Sequence, residues 1–238
     1  MPQLTSAFHE VRLVDLHDEA VQTALERHRD SLLSVDERQV THDRARVTSA
    51  GDFDLSGLVE LLDSTGRESI PPAMRSAIAI RERLQCPAPR PWPDESFDCV
   101  ASCCLLSQLI DSLILAFGPA HPELVTMILQ LRHHHLQLII DILSPGGRGI
   151  LISDFVSSAT LPELASASES DVSQLLQEAL KQRNFFTGLN PIALREMLSS
   201  SPVFAKQIEQ VAVTDFWRWS LGKKQFGVCG YSFVKRVA

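Results

Sequence analysis

Residues 97–106, Phe-Asp-Cys-Val-Ala-Ser-Cys-Cys-Leu-Leu, are almost continuous in apolar and small side chains. A strand of a parallel sheet is covered by helices on both faces, so its sequence lacks the alternation of apolar and polar residues that a half-exposed strand shows. We therefore interpret this stretch as a strand buried between two layers of helices. A strand of that kind predicts an α/β fold.

Further strands and helices are predicted on both sides of this strand. Residues 10–15 (Glu-Val-Arg-Leu-Val-Asp) predict a strand ending in a carboxylate, 45–49 predict a weaker strand, and 149–154 predict a later strand that also ends in a carboxylate. Apolar residues at helical spacing predict helices at 18–32, 58–62, 71–84, 122–143, 170–181 and 191–198. Asn190 is the expected N-cap of the last helix, because a proline follows it at the first helical position.

Two strand-like runs close the chain, at 211–217 and 226–235, and the turn between them predicts an antiparallel pair. The alternation of strands and helices before them predicts a parallel sheet with right-handed crossovers. The expected fold is therefore an α/β, Rossmann-like three-layer sandwich with a mostly parallel sheet and a C-terminal antiparallel β-hairpin. We expect a single domain over residues 1–238, with a Pro-rich excursion at 63–96 and a helical insertion at 156–202.

Composition limits the classes of function. The chain of 238 residues carries 22 Lys+Arg against 29 Asp+Glu, a formal net charge of −7, and has no basic cluster. Nucleic-acid binding depends on clustered Lys and Arg, so a nucleic-acid partner is not expected. No apolar run approaches the roughly 18–20 residues that span a bilayer, so no membrane partner is expected either.

The cysteines and the first residues bear on the compartment. The five cysteines are an odd number and form no Cys-x-x-Cys pair, which favours neither a disulfide framework nor a structural zinc site. No basic segment followed by an apolar core opens the chain, so no secretory signal is predicted. A cytoplasmic location and no bound metal are the expectations.

Polar residues follow each predicted parallel strand. Asp15 ends the first, Asp52 and Asp54 follow the second, residues 102–108 (including Ser102 and Cys103) follow the third, and Asp154 ends the fourth. Ligands of open parallel sheets bind outside the carboxyl ends of the strands, and a carboxylate there can accept hydrogen bonds from a ribose diol. For each of two residues a role without a ligand stays open: Asp15 could instead cap the following helix, and Asp54 could instead belong to a plain turn.

Four segments together resemble the class I S-adenosylmethionine-dependent methyltransferases, in order and at suitable spacing: residues 13–20, 54–57, 97–101 and 143–147. The resemblance implies S-adenosylmethionine as cofactor, with Asp15 at its ribose and Asp54 or Asp52 near its adenine. It also implies that residues 102–105, with Ser102 and Cys103 among them, line the methionine side, and Asp154 is the candidate for a substrate or cofactor contact. The methyl acceptor is expected to be a small molecule or a protein, and no catalytic residue is assigned.

One element of that family is missing from the sequence. The family places a Gly-rich turn about 20 residues before the ribose carboxylate, as dinucleotide-binding folds do; counted back from Asp15, this position falls before Met1. We therefore expect the native start to lie upstream, and the chain as given to lack its first β–α unit. Two other functions stay open. One is a non-catalytic scaffold or partner subunit of the same fold. The other is a dinucleotide-dependent oxidoreductase, which the absent Gly-rich turn disfavours as much as it disfavours a methyltransferase.

Several further motifs have a functional and a plain interpretation. Cys103 and Cys104 are a nucleophile or ordinary buried thiols, and the plain interpretation is favoured because no histidine is placed with them. His133-His134-His135 suggests a metal site, but consecutive helix positions point about 100° apart, so a solvated or partly packed helix face is expected. Residues 216–219 (Phe-Trp-Arg-Trp) pack on the sheet or form a recognition surface. Two interpretations stay open for segments 87–93 and 156–202: they form a lid or an acceptor pocket, or they are plain connections between elements.

Overall fold

The computed structural model describes residues 7–15, 19, 22–26, 46–51, 53–58 and 77–237. The chain divides into two compact units. Unit 1 comprises Met1–Gly57 and Pro89–Pro93, and unit 2 comprises Leu58–Ala88 and Asp94–Ala238. Each unit is described by itself, and the expectation of a single domain stays a prediction.

Unit 1 contains a parallel pair of strands. Strand β1, Glu10–Val14, pairs in parallel with β2, Arg46–Ala50. The predicted strands at 10–15 and 45–49 are therefore confirmed. Residue 19 and residues 22–26 are helical, which agrees with the predicted helix at 18–32 as far as it is described. The rest of that helix, and the helix predicted at 58–62 beyond its first residue, lie outside the described residues.

The sheet of unit 2 is mixed. Its strands are β3 Phe97–Cys103, β4 Leu143–Ser157, β5 Ile208–Val213, β6 Trp217–Leu221 and β7 Lys224–Lys235. The order is β3-β4-β7-β5, and β6 also pairs with β7. Only β3 and β4 are parallel, while β4, β5 and β6 all run antiparallel to β7.

The expectation of a mostly parallel sheet is thus only partly matched. Parallel pairing joins β1 to β2 and β3 to β4, and every pairing of the last strand is antiparallel. The two-residue turn after β6 accounts for the β6–β7 pairing, because so short a connection can join only antiparallel neighbours. A closing antiparallel hairpin is present, formed by β6 and β7. The single strand predicted at 211–217 is wrong, because β5 ends at Val213 and β6 begins at Trp217, and both pair with β7.

The helices of unit 2 are α1 Ala77–Gln85, α2 Leu105–Phe117, α3 Leu124–Ile142, α4 Glu169–Lys181 and α5 Pro191–Ser200, with a 3-10 turn at Pro162–Ala165. Helix α2 corrects the prediction that the strand continues to residue 106. Its buried residues recur at helical spacing, at Leu106, Ile110, Leu113 and Phe117. The N-cap prediction for α5 is confirmed, since the Asn190 side chain accepts hydrogen bonds from the first turn.

Helices α3 and α5 lie on the same face of the sheet. Ser102, Leu151 and Tyr231 are paired side by side on β3, β4 and β7, and side chains paired in this way point to one face. On that face the Ser102 hydroxyl is hydrogen-bonded to His135 of α3, and the Tyr231 hydroxyl donates to the Pro191 carbonyl of α5. The core of unit 2 combines buried residues of the sheet and of α2, α3, α4 and α5.

Helix α3 passes directly into β4. It ends at Ile142, and residues 144–147 are already part of the strand, with Gly146 at a φ of 78°. The Lys235 ammonium donates to the carbonyls of Asp141 and Leu143, at 3.3 and 2.7 Å. A cation at this position satisfies carbonyls that the helix end leaves unpaired and opposes the negative end of the helix dipole.

Among the helices that the structure describes, none is long and apolar enough to cross a membrane.

Candidate functional site

Asp15 and Asp54 follow the two strands of unit 1, as predicted. The backbone N–H of Asp15 donates to Ala50 (3.3 Å) and its carbonyl accepts from Phe53 (3.2 Å), so its main chain is tied to β2 and the loop after it. The Asp54 carboxylate accepts from the backbone N–H of Ser56 at 2.8 Å and from its hydroxyl at 2.5 Å. These contacts make Asp54 a turn residue, in line with the plain alternative.

Asp52, the other residue considered for the adenine side, lies outside the residues that the structure describes. Its assignment stays a prediction. Asp15 stands at the carboxyl end of a parallel strand and its backbone is fixed on both sides; its contact with a ligand stays a prediction.

The carboxyl ends of β3 and β4 form a compact group of polar side chains in unit 2. We call Cys104, Ser107 and Asp154 the β4 carboxylate cluster. The chain turns sharply from β3 into α2 at Cys104, which has left-handed backbone angles (φ 54°, ψ 21°), and its N–H donates to Ile152 at 2.8 Å. The Ser107 hydroxyl lies 2.5 Å from the Asp154 carboxylate and 3.0 Å from the Cys104 carbonyl.

Burial governs the proton affinities of this cluster. Asp154 is only 6% exposed, and burial raises the pKa of its carboxyl, whereas the hydrogen bond from Ser107 lowers it. Burial also raises the pKa of the Cys104 thiol to about 12, and the adjacent Asp154 charge acts in the same direction. The thiol of Cys104 is therefore protonated at neutral pH and is a poor nucleophile. The same holds for Cys103: the residue is exposed overall, but partial burial of its thiol also raises its pKa.

Asp154 has a structural role that the sequence did not indicate. Its carboxylate bonds to Ser107 in the first turn of α2, where the positive end of the helix dipole favours a negative charge. The predicted substrate contact of Asp154 stays a prediction, and any ligand here would have to share a buried carboxylate with this helix. Ser107 belongs to the residues that the sequence places after the third predicted strand, but its contact with Asp154 was not predicted. The apolar spacing of 106–117 was the signal that could have revealed its helix.

Removing the Ser107 hydroxyl provides a test of this cluster. We expect Ser107→Ala to raise the pKa of Asp154 further and to lower the free energy of unfolding by about 1–3 kcal/mol, because a buried carboxylate loses a donor. Carbon-13 NMR of the Asp154 carboxyl and chemical denaturation measure the two effects. Ser112→Ala on the same helix is the control, since that hydroxyl only donates to Gln108 at an exposed position; equal effects of both variants would contradict the assignment.

Ser102 and Cys103, the residues predicted for the methionine side, differ in environment. The Ser102 hydroxyl is buried and lies 2.8 Å from Nε2 of His135. The neighbouring Cys103 is exposed. Of the two, Cys103 is the one that a bound molecule could reach without breaking a buried hydrogen bond.

The three consecutive histidines diverge, as their spacing on a helix predicts. The His133 ring packs on Phe204 at 4.7 Å, His134 Nδ1 lies 3.2 Å from the Leu84 carbonyl, and His135 points to Ser102. We expected the three histidines to lie on a solvated or partly packed helix face. This expectation is wrong for His134 and His135, which are both buried, His134 against α1 and His135 against β3. Within the described ranges, no three metal-ligating side chains come together.

The aromatic run at 216–219 is divided between packing and exposure. The Phe216 ring lies 5.2 Å from the ring of the buried Phe155, whereas Trp219 is exposed at 38%. Phe216 therefore packs against the core, as the plain interpretation holds.

Comparison with known proteins assigns no family: no family model matches the chain, and a search of curated proteins gives no significant match.

Proposed function

We propose that this chain is an S-adenosylmethionine-dependent methyltransferase-like protein whose acceptor is a small molecule or a protein. The strand pairing is the observation that carries the proposal. Unit 1 contains a parallel pair of strands, and unit 2 contains a parallel pair that is extended by an antiparallel closing strand. Each of these pairings is of a kind found in the class I methyltransferases, and the sequence segments that resemble that family occur in the same order.

Asp15 is the residue that we assign to the cofactor ribose. It follows β1 directly, and its backbone is fixed by hydrogen bonds to Ala50 and Phe53. A carboxylate held at the carboxyl end of a parallel strand is the group that accepts hydrogen bonds from a ribose diol in related nucleotide-binding folds. A carboxylate acceptor at this position therefore fits the ribose hydroxyls of the cofactor.

The other candidate residues contribute less directly to the proposal. Asp54 holds its loop through Ser56, so it shapes the region expected near the adenine. Cys103 is the exposed candidate for the methionine side. The cofactor supplies an activated methyl group, and transfer by in-line displacement depends on positioning and exclusion of water. A catalytic acid–base pair is not required, and none is assigned.

Titration with S-adenosylhomocysteine, the product form of the cofactor, tests the assignment of Asp15. We expect Asp15→Ala to weaken binding at least tenfold, because hydrogen bonds to a charged acceptor contribute roughly 1.5–3 kcal/mol. Isothermal titration calorimetry on the full chain measures the affinity. Glu19→Ala, which removes an exposed carboxylate nearby in sequence, should leave the affinity unchanged. Equal affinity of wild type and Asp15→Ala would contradict the assignment.

A specific observation also supports the second candidate, a non-catalytic scaffold or partner subunit. Two of the residues assigned to the cofactor by resemblance are engaged within the protein, Ser102 with His135 and Asp54 with Ser56. A folded chain that binds neither S-adenosylhomocysteine nor a dinucleotide would support this alternative.

A further inference from the structure

The edge of the unit 2 sheet is interrupted by a bulge. Strands β5 and β6 lie end to end along β7, with Val213 opposite Tyr231 and Trp217 opposite Val228. From Val213 to Trp217 the edge advances by four residues, while the facing stretch of β7, from Tyr231 to Val228, spans three. The edge therefore carries one extra residue at this point. Thr214 fixes the interruption, since its N–H donates to the Gly230 carbonyl and its hydroxyl accepts from the Gly230 N–H, both at 2.9 Å.

A cleft of about 260 Å³ opens beside this bulge, between α4, α5 and the sheet edge. Its walls include Ile192 and Arg195 of α5 and residues 213–216 of the sheet edge. Ile192 and Val213 leave 57% and 39% of their surface exposed. Bulges redirect side chains at functional sites, and this one places residues 214–216 in the wall of an otherwise largely apolar cleft.

Two opposite charges line the cleft without neutralising each other. Arg195 on α5 and Asp215 in the bulge are both exposed, and within residues 77–237 neither side chain forms an ion pair or a hydrogen bond. Arg218, on β6 just beyond the bulge, instead pairs with Glu169. The cleft thus presents one cation and one anion around an apolar wall, which is complementary to a zwitterion with an apolar substituent.

We propose that this cleft binds a free α-amino acid with an aliphatic side chain. Arg195 binds the ligand's carboxylate, Asp215 binds its ammonium group, and the side chain packs against Ile192, Val213 and Phe216. Guanidinium and carboxylate are the partners that such a ligand requires, and charge-assisted hydrogen bonds are stronger than neutral ones. The volume suits a ligand of amino-acid size, since pockets for drug-sized molecules span about 300–1,000 Å³. This site does not depend on the proposed methyltransferase function.

Titration of the full chain with L-leucine tests the proposal, followed by NMR chemical shifts or calorimetry. We expect saturable binding, with Arg195→Gln and Asp215→Asn each weakening it tenfold or more. Glu196→Gln, an exposed charge next to Arg195 that does not line the cleft, should leave the affinity unchanged. Circular dichroism of each variant separates loss of binding from loss of fold.

Two analogues of leucine test the roles of the two charges separately. Leucinamide lacks the carboxylate and 4-methylpentanoate lacks the ammonium group, and each should bind at least tenfold more weakly than leucine. The proposal is overturned if leucine does not bind saturably, if either analogue binds as well as leucine, or if folded Arg195→Gln and Asp215→Asn retain wild-type affinity. Absence of cofactor binding would leave these results unaffected, so the two proposals fail independently.

Discussion

Replacing Gly149 by valine is expected to destabilise unit 2 by about 3 kcal/mol or more, which is the upper range for overpacking a core. Gly149 lies on β4 opposite Phe233 of β7. A Cβ atom added to Gly149 would lie 2.3 and 2.4 Å from two ring carbons of Phe233. That ring is fully buried and rigid, so the strands must separate or the ring must leave its position. Chemical denaturation followed by Trp217 and Trp219 fluorescence measures the loss.

A double variant tests the cause of this loss. Phe233→Leu removes ring atoms that the new Cβ would meet, so Gly149→Val should cost less in that background than in the wild type. Ala101→Val, on the neighbouring strand β3 at an exposed position, serves as the control for adding the same branched side chain and should change stability little. Additive effects of Gly149→Val and Phe233→Leu would contradict the proposed clash.

Acidification is expected to lower the free energy of unfolding by about 3 kcal/mol between pH 6.5 and pH 4 through His135 alone. Burial lowers the pKa of His135 from 6.5 to about 4, and the neighbouring His134 adds to this effect. Its Nδ1 has no hydrogen-bond partner among the described residues. Below pH 6.5 the unfolded chain therefore binds a proton that the native chain does not, so stability falls as the pH falls towards 4.

Other groups contribute to the same pH profile. Burial lowers the pKa values of His133 and His134, so both act in the same direction as His135. Burial raises the pKa of Asp154, so its protonation favours the native state as the pH falls and opposes the histidines at the acid end.

The contribution of His135 can be isolated with a paired substitution. The double variant Ser102→Ala/His135→Leu removes the titrating ring together with the hydroxyl that it contacts, so no buried hydroxyl is left without a partner. We expect its stability to fall by about 3 kcal/mol less than that of the wild type between pH 6.5 and 4. His9→Gln, at an exposed position, should retain the wild-type profile, and an unchanged slope in the double variant would refute the role of His135.

The sequence predicts the local elements of this protein better than their pairing. The helix at 122–143 and the capped helix after Asn190 follow from apolar spacing and cap chemistry, and both are present. The antiparallel direction of β7 against β4 is a contact between distant residues, so no local pattern specifies it. Helix α2 was missed because its first residues, Leu105 and Leu106, extend the apolar run of β3 and look like strand.

The same holds for the candidate site: positions within one element follow from the sequence, but contacts between distant residues do not. The position of Asp15 at the end of a strand follows from the sequence, and β1 confirms the strand that precedes it. The contact of Ser107 with Asp154 joins residues 47 positions apart, and the burial of His135 depends on β3 lying beneath α3. Sequence spacing showed that the three histidines diverge, but it could not show what each of them contacts.

Equilibrium dialysis of the full chain against labelled S-adenosylmethionine is the most direct test of the central proposal. The proposed function predicts saturable retention of the label that excess S-adenosylhomocysteine displaces and excess NAD does not. Absence of retention by a chain that circular dichroism shows to be folded, or equal displacement by NAD, would contradict it.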